Sequence, residues 1–214
     1  MTTETAERFS ATIRSETAGD HRGAERSAFM EGLMGGTLPL AGYVDMLAQH
    51  WYAYDRLEAQ GERLSSDPVA GAFVDAALLR LPALSTDLEQ LAGAAWQEQY
   101  PATPATQDYA EAIDRASAWS GGFVAHHYTR YLGDLSGGQH IGRIAARTYD
   151  LAPGRGGNFA AFDIADPAAY REAYRVRLDE AAWDGDEQRR MIDEVHEAYR
   201  HNRAVFADLD RHGV

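Results

Sequence analysis

His21 has Thr17, Ala18, Ala24 and Glu25 as its helical neighbours at three and four residues. Three small side chains leave room for a broad planar group to lie against such a helix. Glu25, one turn later, is spaced to accept a hydrogen bond from the free ring nitrogen, which fixes the tautomer and raises the basicity of a metal-binding imidazole. The same spacing fits a solvated or core histidine. A second cluster lies between Tyr128 and Arg143, where Asp134 stands among Gly133, Gly137, Gly138 and Gly142. Each glycine inside a helix costs about 1 kcal/mol relative to alanine. The pairs Gly133/Gly137 and Gly138/Gly142 are spaced to share a helix face. A face without side chains lets the backbone touch something flat or bulky, or permits a close helix–helix crossing. Asp134 puts a carboxylate where a packing helix would carry an apolar residue.

Other chemistries are bounded by what the chain lacks. It contains no cysteine, which excludes thiolate catalysis, thiolate metal sites and disulfides. Leu135-Ser-Gly-Gly-Gln139 spells the motif of transporter-type ATPases, but that reading needs a phosphate-loop lysine and all 20 basic residues are arginine. A di-iron bundle requires two Glu-x-x-His motifs and two further glutamates. Among eight histidines only Asp193-Glu-Val-His196 approaches that spacing, and a surface helix produces it readily. The net charge of -13 argues against general nucleic-acid binding. No signal-peptide pattern and no apolar run of membrane-spanning length are found, so a cytoplasmic protein without a membrane anchor is expected.

These residues must be positioned by helices. Strand-like alternation is scarce, 45% of the 214 residues are apolar, and helical spacing recurs. Thr3 with Glu4 and Glu7 suits a helix start, followed by Phe9 and Ile13. Thr37 and Pro39 open a helix through Tyr43, Met46, His50, Tyr54 and Leu57 to about Gly61. Asp67-Pro68 is read as the cap of a short helix, and Thr86-Asp-Leu-Glu89 as a capping box that starts another. A further helix begins near Thr106. Ser120-Gly121-Gly122 is read as a bend or break before the glycine-rich stretch, which continues as a helix to about Tyr149. Gly154 to Gly157 is a loop, Asp166-Pro167 caps a helix through Tyr174, and a last helix follows Asp186. One domain over residues 1–214 is expected, an irregular all-α bundle of about eight helices.

Taken together, these residues resemble the heme oxygenase family. The carrier is Tyr128-Thr-Arg-Tyr-Leu-Gly-Asp-Leu-Ser-Gly-Gly-Gln139, a long and specific motif. His21-x-x-Ala24-Glu25 with Phe29-Met30, Tyr54-x-x-Leu57-Glu58, Tyr174-Arg175-x-Arg177 and Tyr199-x-x-Asn202-x-x-x-Phe206 extend it in order over nearly the whole chain. Without a membrane tail the chain is similar to the soluble bacterial members. The resemblance implies heme b held between a proximal helix and a kinked distal helix. His21 matches the axial iron ligand and Glu25 its hydrogen-bond partner. Gly133 and Gly137 match the glycines whose backbone covers the heme. Asp134 matches the carboxylate that organises distal water, with Tyr54 and Arg130 in the same polar network and Tyr199 and Asn202 also against the heme. Tyr128, Arg171 and Arg175 match propionate contacts, and Arg14 stands where the family has a basic residue. Ala18 departs from members that carry a lysine there.

The implied activity is oxidative cleavage of heme by O2 to biliverdin, CO and free iron, in heme degradation and iron acquisition. Heme is then both cofactor and substrate, and electrons come from a ferredoxin or an NAD(P)H-dependent reductase. Two other classes remain as alternatives. One is a heme carrier or storage protein that does not degrade its ligand, in which Asp134 has no purpose. The other is a di-iron oxidase of related helical fold.

Overall fold

The computed structural model describes residues 8–213, and the helix start expected at Thr3 lies outside them. Among the described residues every regular element is helical, with eleven α-helices. They are α1 (Phe9–Glu16), α2 (Ala18–Glu25), α3 (Ala28–Gly35), α4 (Leu40–Arg63), α5 (Leu81–Ala92), α6 (Trp96–Gln99), α7 (Pro104–Ala116), α8 (Ser120–His127), α9 (Gln139–Thr148), α10 (Pro167–Glu180) and α11 (Gly185–Leu209). The all-α architecture is as expected. The number exceeds eight because the first helical region divides at Thr17, α6 is a single turn, and the glycine-rich stretch divides into α8 and α9.

The long helices α4 and α11 carry the core. Tyr43, Leu47, Tyr54 and Leu57 of α4 and Met191, Val195 and Leu209 of α11 are almost fully buried, an apolar stripe at 3.6-residue spacing. Helix α11 begins at a complete capping box in which Asp184 accepts from the backbone of Glu187 and Glu187 answers to Asp184. Helix α10 begins as expected, with the Asp166 carboxylate accepting from Ala168 and Ala169.

Two local expectations change. Helix α5 starts at Leu81, with Pro82 in its first turn, and Thr86 lies inside it. The Thr86 hydroxyl bonds back to the Pro82 carbonyl at 2.8 Å, so the apparent capping box is mid-helix sequence. Asp67 does cap, accepting from Val69 and Ala70, but two short 3-10 turns follow, Ala70–Phe73 and Ala76–Leu78. The expected break falls just before Ser120-Gly121-Gly122, between the end of α7 at Ala116 and the start of α8 at Ser120. A Cβ on Gly122 would stand 2.3 Å from the Ala116 carbonyl oxygen, so this glycine lets α7 and α8 turn tightly.

Asp87, fully buried on α5, accepts from the backbone N–H groups of Asn158 and Phe159 and from the Asn158 amide, at 2.7 to 3.0 Å. Arg80 adds bonds to the carbonyls of Phe159 and Ala161. Together they fix the segment that becomes one wall of the cleft described below. Asp87→Ala strands buried donors, each worth about 1–3 kcal/mol. Urea denaturation is expected to show a loss of at least that size, and unchanged stability would refute this role. The Gly154–Gly157 loop is tied down too. Tyr43 donates to the Gly156 carbonyl at 2.8 Å, and Gly156 adopts φ +68° against Leu91, where no larger residue fits.

Candidate heme cleft

Between α8 and α9 the chain stays helical but changes pitch. Tyr128–Leu132 and Asp134–Gly138 are π-turns, with Gly133 as the hinge residue between them. Such turns concentrate at functional sites, because the wider helix re-aims side chains and carbonyls. Gly133, Gly137, Gly138 and Gly142 do not have positive φ. Their backbone is available to any residue, so glycine is required here for its missing side chain.

The four glycines separate into two pairs with different surroundings. A Cβ at Gly133 or Gly137 would meet nothing within 4 Å, because both face a cavity. A Cβ at Gly142 would meet the Ala160 methyl at 2.6 Å, and one at Gly138 would touch the Ala160 backbone at 3.9 Å. Gly142 therefore serves the close packing that the spacing also allowed, Gly138 meets Ala160 only at ordinary contact distance, and both also border the cavity. Gly133 and Gly137 leave an open strip along a space of ≈ 250 Å³.

Across that space lies α2, none of whose residues is buried. A short helix without a buried face has no hydrophobic driving force of its own. It is held by polar contacts to α11, in which Asp20 bonds His196 at 2.6 Å and Arg203 at 2.7 Å. His196 is thus used for an interhelical contact. His21 turns toward the cavity, its Nδ1 3.4 Å from the Glu25 carboxylate and its ring edge-on to Tyr199 at 6.1 Å between centroids. Ala24 and Glu25 line the same space, as do Asn202 and Phe206 of α11 and Met46 and His50 of α4.

A second opening of ≈ 360 Å³ continues the cleft outward and shares His21, Gly133, Ser136 and Tyr199 with the first. Arg14, Arg22, Tyr128 and Arg175 line it, giving one end three arginines and a phenol. Arg171 lines neither opening. It donates to the Leu135 carbonyl at 2.9 Å and so braces the second π-turn. Arg22 and Ser136 were not among the residues expected from the sequence, and nothing in their spacing singles them out. His50 was read as part of the helical stripe of α4, yet Met46 and His50, one turn apart, face the cleft.

Asp134 is the charged group on the open strip. The Tyr54 hydroxyl, itself fully buried, donates to its carboxylate. Arg130 lies over the Tyr54 ring at 4.8 Å and donates to the Asn202 side-chain oxygen at 2.8 Å. Burial raises the Asp134 pKa above its ordinary value, opposed by Arg130, the Tyr54 hydrogen bond and Arg80. Burial also holds the neighbouring His50 neutral, well below the usual histidine range, with Arg130 adding to the effect. Nε and Nη2 of Arg130 are buried without a partner among the described residues, although buried donors are nearly always satisfied. They call for acceptors that water or a ligand supplies.

A raised pKa means that folded Asp134 holds its proton more tightly than the unfolded chain, whose value is near 3.8. Stability therefore falls as pH rises above that value through the folded pKa. An asparagine in its place would carry no such proton while still accepting from Tyr54. The ligand-free Asp134→Asn protein is expected to gain stability on wild type as pH rises from below 3.8 to neutrality, read by urea titrations at both ends. A difference that does not change with pH would contradict the assignment.

The site defines a class: an all-α protein with a flat cleft, an imidazole on one side, bare backbone on the other, and cations at its mouth. Comparison with known proteins agrees. The heme oxygenase family model matches residues 7–208, and the chain belongs to that family. It is 35% identical over 200 residues to heme oxygenase 1 of Nostoc sp., covering 92% of this chain and 84% of that relative. The structure of heme oxygenase from Leptospira interrogans matches with a TM-score of 0.89 at 32% identity, covering 94% of this chain and 99% of that one. Heme oxygenase-2 from Synechocystis sp. in complex with heme and NO matches with a TM-score of 0.91 at 30% identity, covering 95% and 86%. The protein is accordingly an oxidoreductase that degrades heme.

Proposed function

We propose that the chain binds one heme b in this cleft and cleaves it with O2 to biliverdin, CO and iron. The observation that carries this reading is the open strip at Gly133 and Gly137, which the protein's own packing does not need. Bound heme supplies both the iron that takes O2 and the ring that is cut. His21 is assigned to hold the heme iron, with Glu25 fixing its Nδ1 so that Nε2 would be free to bind the metal. Arg14, Arg22, Arg175 and Tyr128 at the mouth are assigned to the two propionates, to which guanidinium groups bind well. Arg171 supports the distal turn from outside.

On the open strip across from His21, Asp134 would position a proton donor for bound heme. Tyr54 fixes one carboxylate oxygen, and the unpartnered nitrogens of Arg130 supply donors for water or a developing anion. Asn202 keeps Arg130 in place, and Tyr199 packs against the His21 ring. A carboxylate whose pKa is raised by burial is suited to take up and return a proton nearer neutral pH. A heme carrier has no use for such a group beside an open coordination position. No helix among the described residues is long and apolar enough to cross a membrane. A cytoplasmic location, with a ferredoxin or an NAD(P)H-dependent reductase as electron donor, goes with this reading.

His21→Ala tests the axial assignment. The variant is expected to fold, since His21 packs into no core, but to bind hemin more weakly than wild type. The imidazole-type absorption spectrum should be lost and restored by added imidazole. An unchanged spectrum would remove His21 from the role.

A further inference from the structure

A third cavity, of ≈ 550 Å³, lies behind Tyr131, between α4, the two 3-10 turns and α8, and it shares no lining residue with the heme cleft. Its inner wall is apolar, built from Leu57, Val74, Leu81 and Phe123. Four carboxylates line it, from Asp55, Glu58 and Glu62 on one face of α4 and from Asp75 opposite, and no arginine does. Two of the four are already occupied by the fold. Glu58 accepts from the backbone of Arg80 and Leu81, and Asp75 from Ala77 and the Tyr170 hydroxyl. Asp55 and Glu62 form no side-chain hydrogen bond or ion pair among the described residues.

At the inner end of the cavity stands His127, only 3% exposed. Its Nδ1 meets the Tyr174 hydroxyl at 2.9 Å, and its Nε2 has no partner among the described residues. Heme chemistry uses none of these groups. Apolar walls with a few converging polar atoms are the usual composition of a small-molecule site, and the free charged atoms here are the carboxylate oxygens of Asp55 and Glu62. The complement is a cation with N–H donors on an apolar body.

We propose that this cavity binds a small organic cation of the amidinium or guanidinium class. Its N–H groups engage the Asp55 and Glu62 carboxylates through charge-assisted hydrogen bonds, the stronger kind. Its apolar body lies on Val74 and Phe123 within reach of His127. The test is calorimetric titration of the heme-loaded protein with benzamidine, and with benzamide as the neutral counterpart, while the Soret band is recorded in the same samples. Benzamidine is expected to bind saturably, at least tenfold more tightly than benzamide, with the Soret band unmoved. Asp55→Asn combined with Glu62→Gln should weaken it at least tenfold, and Ala76→Trp at the lining should abolish it, both with wild-type circular dichroism. No saturable binding at millimolar benzamidine would overturn the proposal. So would equal affinity for the two probes, binding undiminished in either variant, or a Soret shift that follows the titration.

Discussion

Asp134→Ala is expected to bind hemin about as well as wild type and to degrade it at least ~100-fold more slowly, the range for removing a positioned acid or base. The side chain is not part of the heme's support, because the strip that faces the ring is the backbone of Gly133 and Gly137. It is a group the fold maintains at some expense: a carboxylate buried enough to raise its pKa, held by a tyrosine that is itself buried. Removing it frees the Tyr54 hydroxyl and takes a negative charge from the surroundings of Arg130, while the cleft stays open. Single-turnover absorption measurements with a reductant separate the two quantities. Wild-type degradation in this variant would place the proton source elsewhere.

Gly133→Leu is expected to weaken hemin binding roughly 10–100-fold, because side chain and macrocycle would claim the same space and overpacking costs about 1–3 kcal/mol. Without heme, the same position should tolerate a side chain. Gly133→Ala meets no atom within 4 Å and should leave the ligand-free protein as stable or up to about 1 kcal/mol more stable, through helix propensity. Gly142→Ala is the control, since its Cβ falls 2.6 Å from the Ala160 methyl and should destabilise the ligand-free protein by about 1–3 kcal/mol. If both alanines lowered ligand-free stability alike, Gly133 would be a packing glycine and the open strip would lose its meaning.

The all-α architecture, the two facing segments and most of the polar residues of the cleft were legible in the sequence, because a long motif and a few helix caps carry them. Spacing alone did not divide the glycines into two pairs, since a glycine facing a ligand and one facing a neighbouring helix look the same at i, i+4. Nor did it reveal the π-turns, which use the same residue types as an α-helix and differ only in which carbonyl each N–H reaches. Thr86 to Glu89 imitates a cap inside α5, whose true first turn is marked by Pro82. Arg22 and the Asp20 contacts to His196 and Arg203 depend on how α2 lies against the rest of the molecule. No local pattern encodes that placement. Although Ala18 stands where other members carry a lysine, Arg14 is not alone at the mouth, because Arg22 lines it too.

A time course of absorption spectra, taken after hemin is added to the purified protein with a reductant in air, bears most directly on the whole account. An imidazole-ligated Soret band should form and then decay as a bilin absorption grows in its place. A Soret band that persists under those conditions would make the cleft a resting place for heme, contradicting its role as the site where the ring is opened.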